Sequence, residues 1–208
     1  MIMQNKPTII FDFGGVLLHW DPRHLYRKYF NGDEQAMERF LSEVDFFNWN
    51  LHQDAGRPFS EGVAQGCAEH PDYCELLKIY DEHYPESIIG PISGSVEILE
   101  RLKQAGYSLF GLSNWSAEKF QLVRDQYEFL DWFEQILISG EARLVKPDPL
   151  IFHLMLEKVG CPASECLLID DSPMNIETAR LLGFQTIHFQ SPEQLSQALA
   201  DKGIIVED

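Results

Sequence analysis

KPTIIFDFGGVLL, residues 6–18, is the stretch that decides the fold. Positions 8–13 form a short run rich in Ile and Phe, with one acid, Asp12, near its end, and Gly14-Gly15 follows at once. An apolar, β-branched and aromatic run of this length, bounded by Pro and Gly, reads as a buried parallel strand. A carboxylate at the carboxyl end of such a strand stands where open α/β sheets place their active sites. The glycines let the backbone turn sharply and bring bare peptide groups close to a ligand. Asp12 alone is as readily a capping or turn acid, so its meaning depends on what the rest of the chain places beside it.

The 208 residues suffice for one good core, or for a core plus a small insert. Sixteen basic against 33 acidic residues leave a net charge of −17. That argues against nucleic acid and against an anionic membrane as partners, and an anionic substrate would need a strong local positive centre. No run approaches a membrane span, and the N-terminus lacks a secretory pattern. Cys67, Cys74, Cys161 and Cys166 form neither a C-x-x-C pair nor a zinc pattern. They are expected to be reduced thiols filling core space, in a cytoplasmic, reducing compartment.

After Leu18 the texture becomes helical. Apolar residues recur at spacings of three and four, as in Leu25, Tyr29 and Phe30, then Met37, Phe40, Leu41 and Val44. Asp21-Pro22 reads as a cap followed by a first-turn proline, Asn31-Gly32 as a break, and Ser60 as a further cap. From Gly90 onward, strands alternate with helices. The expected strands are 107–113, 135–139, 166–170 and 185–189; the expected helices are 95–104, 116–127, 149–159, 173–182 and 192–202. This pattern predicts an α/β fold, a Rossmann-like doubly wound parallel sheet interrupted after its first strand by an all-helical cap domain. The expected boundaries are 1–18 plus 89–208 for the core and 19–88 for the cap. Residues 203–208 are expected to fray.

Three later segments carry chemistry at strand ends. Strand 107–113 ends in Ser113-Asn114 and strand 166–170 in Asp170-Asp171-Ser172; between them, Lys146-Pro147-Asp148-Pro149 leads into a helix. Proline after Lys146 favours extended backbone, from which the ammonium can reach over the strand ends. Asp148 and Ser172, each followed by Pro, are natural helix caps. Each segment alone reads as a turn, a cap or a solvated charge. Together they gather on one edge of the sheet.

This order of residues resembles the haloacid dehalogenase-like hydrolase superfamily: a nucleophilic Asp at the end of an apolar strand, then Ser or Thr, then Lys, then an acidic pair. Asp12, Ser113, Lys146 and Asp170-Asp171 match those positions, with flanking matches at Gly15-Val16-Leu17, Ser139-Gly140-Glu141 and Lys146-Pro147-Asp148. The resemblance covers the whole chain, and a helical cap after the first strand marks one subgroup. It implies a phosphatase acting on a small anionic phosphometabolite such as a phosphosugar, through an aspartyl-phosphate on Asp12. Implied with it are Mg2+ on Asp12, the Gly14 carbonyl and Asp171, with Asp170 a direct ligand or one layer behind. Lys146, Ser113 and backbone N–H groups at Gly14, Gly15 and Asn114 would hold the phosphate. Asn175 would orient Lys146 or Asp171. Asp12, Asp170 and Asp171 against Lys146 leave two negative charges, and two like charges ~4 Å apart repel by ~4 kcal/mol at an effective dielectric of ~20, so the acids favour a divalent cation.

The sequence departs from the superfamily's phosphatases at Gly14, where they usually carry a second Asp as general acid. Losing such a group removes ~10²–10⁴-fold in rate. His24, His52 and Asp54 are candidate replacements, and His19, Trp20, Trp49, Gln53, Arg57 and Trp115 are candidate substrate contacts. A 2-haloacid dehalogenase using Arg23 or Arg27, or a catalytically weak phosphate-binding protein, is the alternative reading. A monomer or a homodimer is equally compatible with the sequence.

Overall fold

The structure is a computed structural model that describes residues 6–204. Its centre is β1 (Thr8–Phe11). A short pair, β2 (Leu18–Trp20) and β3 (Ile88–Pro91), runs antiparallel. The remaining strands are β4 (Leu109–Ser113), β5 (Gln135–Ile138), β6 (Cys166–Asp170) and β7 (Gln185–His188). The five-stranded sheet has the order β5-β4-β1-β6-β7 and is parallel throughout. The first strand therefore lies in the middle, and the chain winds outward on both sides of it, as the Rossmann-like expectation requires.

Both sheet faces are covered. Ile9 and Phe11 of β1 and Leu167 and Ile169 of β6 enter one apolar cluster, while Ile10, Cys166 and Leu168 enter the other. Strand side chains alternate between faces, so a strand buried on both reads as an unbroken apolar run. That explains why β1 and β6 were legible from sequence.

Between β2 and β3 lie α1 (Pro22–Tyr26), α2 (Glu34–Glu43), α3 (Phe46–Asp54), α4 (Phe59–Glu69) and α5 (Cys74–Glu82). Asp21 caps α1, its carboxylate accepting from the Arg23 N–H at 2.9 Å. Asn31 and Gly32 both take positive φ, which breaks the chain there. The α4 start differs from expectation: the helix begins at Phe59, after Pro58, one residue ahead of Ser60. The pair β2–β3 was not foreseen, because three- and four-residue strands containing His19 or Gly90-Pro91 lack an alternating signal.

After β3 come α6 (Ser93–Gln104), α7 (Ala117–Arg124), α8 (Ser139–Ala142), α9 (Pro149–Val159), α10 (Pro173–Leu181) and α11 (Pro192–Asp201). Asp148 caps α9 as expected, accepting from the Leu150 N–H at 2.9 Å, and Gly160 stops it in the left-handed region. The expected fraying falls mainly on residues 205–208, outside the described residues; Ile204 is buried against the core.

The cysteine expectation needs correction. Cys67 of α4 and Cys74 of α5 are joined in a disulfide, their Cα atoms 4.3 Å apart, because α4 and α5 pack side by side. Cys161 and Cys166 keep free thiols, as expected, with sulfurs 3.5 Å apart. The inference from four reduced thiols to a reducing compartment thus loses half its premise. Among the described residues no helix is long and apolar enough to cross a membrane.

Gly140, in α8, sits hard against the backbone that follows β4. A Cβ there would lie 2.5 Å from the Ala117 nitrogen and 2.9 Å from the Trp115 oxygen, both backbone atoms that cannot step aside. Gly140→Ala is expected to cost ~1–3 kcal/mol. Urea denaturation measures it, and an unchanged midpoint would contradict the packing described.

Candidate active site

Parallel pairing fixes the site. β4, β1 and β6 are neighbours, so Ser113, Asp12 and Asp170 emerge side by side at one edge. The Asp12 N–H still donates to the Ile169 carbonyl at 2.9 Å, which keeps Asp12 in register just past the end of β1. The Asp12 Oδ1 accepts from the Phe13 N–H at 2.7 Å.

Lys146 is 2% exposed, so its charge needs near neighbours. Its Nζ lies 2.6 Å from Asp170 Oδ2, 3.0 Å from Asp12 Oδ2 and 2.8 Å from the Leu112 carbonyl. The ammonium is tucked between the strand ends rather than stretched above them. Its loop is held by Asn114, whose Nδ2 donates to the Lys146 carbonyl at 2.9 Å and whose Oδ1 accepts from the Lys146 N–H at 2.8 Å. This double clamp was not foreseen; an Asn directly after a strand reads equally as a turn residue.

Asp170 is wholly buried. Its Oδ1 accepts from the Ser172 N–H at 2.9 Å and from Asn175 Nδ2 at 3.0 Å; its Oδ2 accepts from Lys146 and, at 3.1 Å, from Asn175. Asn175 therefore supports Asp170, where the sequence reading paired it with Lys146 or Asp171. Asp171 lies outward of this network, and its carboxylate is what a side chain at Gly15 would strike. Gly15 also has φ +75°, so glycine serves both the turn and the clearance for Asp171. The Gly15 N–H donates to the Leu18 carbonyl at 2.9 Å, so the phosphate donor expected there is already engaged.

The acids share one centre. Asp12, Asp170 and Asp171 each offer an oxygen within 4.8 Å of the others. Burial pushes the Asp12 carboxyl up to about 7, with Asp170 and Asp171 adding to the rise and Lys146 opposing it. Burial and the Asp170 charge also raise Asp171. One lysine thus leaves the cluster short of positive charge. Close-set hard oxygen donors with excess negative charge suit Mg2+.

A cavity of about 360 Å³ opens over this cluster. Asp12, Gly14, Gly15, Ser113, Asn114, Lys146, Asp171 and Asn175 form its floor; Trp20, Phe47, Asn50, Leu51 and Asp54 form the remaining wall. Of the other residues expected to contact substrate, Trp115 lines a smaller adjoining cavity of about 50 Å³. Trp49 is buried and donates to the Gly62 carbonyl at 2.9 Å. Gln53 and Arg57 both bond to the Trp49 carbonyl, at 2.8 and 3.0 Å. His19 and His52 are exposed and His24 is half-buried, none of them lining the cavity over Asp12.

A doubly wound sheet with an acid–lysine–acid-pair cluster at its carboxyl edge defines a class of hydrolase. The chain belongs to the haloacid dehalogenase-like hydrolase family, whose model matches residues 9–189. It is 27% identical over 191 residues to the phosphoglycolate phosphatase of Mesorhizobium japonicum, covering 88% of this chain and 82% of that protein. It spans only 18–20% of the length of some longer curated relatives. A wild-type family enzyme of Bacteroides thetaiotaomicron, solved in complex with magnesium and inorganic phosphate, has the same fold: TM-score 0.69 at 24% identity, covering 89% of this chain and 94% of that one. So does L-2-haloacid dehalogenase of Xanthobacter autotrophicus: TM-score 0.61 at 17% identity, over 96% of this chain and 84% of that one.

Proposed function

We propose that the protein is a phosphatase of small phosphate monoesters, phosphosugars among them, that works through a phosphorylated Asp12. The observation that carries this reading is the Lys146 ammonium placed between Asp12 and Asp170, with Asp171 alongside. Asp12 attacks phosphorus in line, the ester oxygen leaves, and water then releases phosphate and restores the carboxylate. Lys146 keeps Asp12 at the cavity floor before substrate arrives, offsets charge and takes a phosphoryl oxygen as substrate binds. Ser113, 1% exposed on the cavity floor, and the Gly14 and Asn114 backbone N–H groups hold phosphoryl oxygens.

Asp12, Asp171 and the Gly14 carbonyl would hold Mg2+, which supplies the positive charge the acid cluster lacks. Asp170, with both oxygens engaged, acts chiefly by positioning Lys146. Helices α1–α5, residues 19–88 in the expected division, serve as a cap that supplies the outer wall and so selects the leaving group. The core is then 1–18 plus 89–208.

The dehalogenase reading needs an arginine at the cavity. Arg23 binds Asp21 at 3.2 Å and Glu38 at 2.5 Å, Arg27 binds Glu34 at 2.7 Å, and neither lines the cavity over Asp12. The deciding assay follows phosphate release from 4-nitrophenyl phosphate and a panel of phosphometabolites, alongside halide release from 2-chloropropionate. Turnover of phosphoesters with Mg2+ is expected, falling on the order of 10²-fold or more in EDTA and returning with Mg2+. Metal-independent halide release, or phosphate binding without turnover, would replace this reading.

A further inference from the structure

We propose that Asp54 is the general acid and base of the reaction, acting from α3 across the cavity that Gly14 leaves open. This rests on the phosphatase reading above. Nothing lies within 4 Å of where a Cβ on Gly14 would stand, so the space a second acid would fill is vacant. Gly14 and Asp54 line both cavities at the site, the one over Asp12 and the smaller one beside it. An in-line displacement puts the leaving oxygen on the side of phosphorus away from the nucleophile. A proton donor must reach that side of the cavity, and with glycine at 14 the carboxyl in its wall from α3 is Asp54.

The carboxyl is held, not free. Asn50 Nδ2 donates to Asp54 Oδ2 at 3.0 Å, and the Ser116 N–H donates to the same carboxylate. The Asp54 backbone carbonyl accepts from Ser139 Oγ at 2.6 Å, and that oxygen in turn accepts from the Trp115 N–H at 2.9 Å. The end of α3 is thereby tied to the sheet edge that carries the other reacting groups. Tyr80 of α5 and Tyr84, just beyond it, face Asp54; Asp12, Lys146 and Asp171 stand on the cavity floor. Burial pushes the Asp54 carboxyl up to about 7, where it can both give and take a proton near neutrality.

In the first step an Asp12 oxygen bonds to phosphorus as the P–O ester bond breaks, and the Asp54 proton passes to the departing oxygen. In the second step the Asp54 carboxylate takes a proton from water, whose oxygen bonds to phosphorus as the Asp12–phosphorus bond breaks. Asp54 ends protonated again.

The test compares Asp54→Asn with wild type on 4-nitrophenyl phosphate, which has an acidic leaving group, and on an alkyl phosphate, which has not. The variant is expected to release about one equivalent of nitrophenol per site in a rapid burst and then turn over ~10²–10⁴-fold more slowly than wild type. On the alkyl phosphate its burst disappears as well. A second arm needs no variant: wild-type turnover of the alkyl ester should fall relative to the aryl ester as pH rises through about 7. Equal losses on both substrates and in both phases, no loss at all, or a pH-independent ratio of the two esters would overturn the assignment. Wild type inert towards every phosphoester with Mg2+ would instead overturn the phosphatase reading beneath it.

Discussion

Asp12→Asn is expected to lower phosphoester turnover by on the order of 10⁴-fold or more, while the protein stays folded. An amide keeps the acceptor for the Phe13 N–H and nearly the same volume, but it is no nucleophile towards phosphorus. The same substitution should stabilise the metal-free protein at pH 8. The Asp12 carboxyl is raised from 3.8 to about 7 in the fold. A raised folded value means that the native state holds the proton more tightly than the unfolded chain. The contribution is fully present below about pH 3.8 and is lost as pH rises through about 7. Asn at 12 removes that loss, so the variant's melting temperature should exceed wild type at pH 8 and converge with it towards pH 4. Mg2+ needs the ionised carboxylate, so it should raise the wild-type melting temperature more at pH 8 than at pH 5, and that of the variant little. A variant with near-wild-type turnover, or one that melts lower than wild type at pH 8 without metal, would remove Asp12 from the role given to it.

Lys146→Met should damage stability and rate together. The lysine is set between Asp12 and Asp170 with Asp171 alongside, its side chain 1% exposed. Burial acts to lower its pKa, Asp12 and Asp170 act to raise it, and the net direction is up. Its contribution is thus fully present at pH 8 and is lost only as alkaline pH passes its folded value. Removing one partner of a buried ion pair costs ~3–5 kcal/mol, because the other charge stays behind. At ~2–4 °C per kcal/mol for a chain of this size, that lowers the melting temperature by ~6–20 °C at pH 8. Protonation of Asp12 should shrink the deficit at pH 5. Loss of phosphoryl positioning lowers kcat/KM by ~10²–10³-fold. Calorimetry at the two pH values checks the first part and steady-state kinetics the second; a pH-independent deficit would show that lost packing, not charge, is responsible.

Much of this was legible in the sequence because strand ends and helix starts announce themselves locally. Asp12, Ser113 and Asp170 fall at the ends of unbroken apolar runs, and Asp148-Pro149 and Gly160 bracket a helix. What escaped was the detail of contacts between distant segments. Asn114 and Lys146 are 32 positions apart, and nothing local in either says that one clamps the other. Asn175 meets Asp170 rather than its neighbour because of where the first turn of α10 aims it. His24, His52 and Asp54 were equivalent as letters; His52 shares α3 with Asp54, and only the side of that helix each occupies puts Asp54, and neither histidine, in the wall of the cavity. The Cys67–Cys74 bond follows from how α4 lies against α5, which spacing alone does not reveal.

The ammonium of Lys146 has three protons, and three oxygens already stand around them. It has no vacancy for a newcomer. A phosphoryl oxygen that binds it must displace one of the present neighbours, and Asp12 is the one that faces the cavity. On the phosphatase reading proposed above, recognition of phosphate is then an exchange: the lysine's partial release of Asp12 and the freeing of that carboxylate to attack become a single event. The entropy of orienting the nucleophile is met when the chain folds, and binding need only trade one oxygen for another.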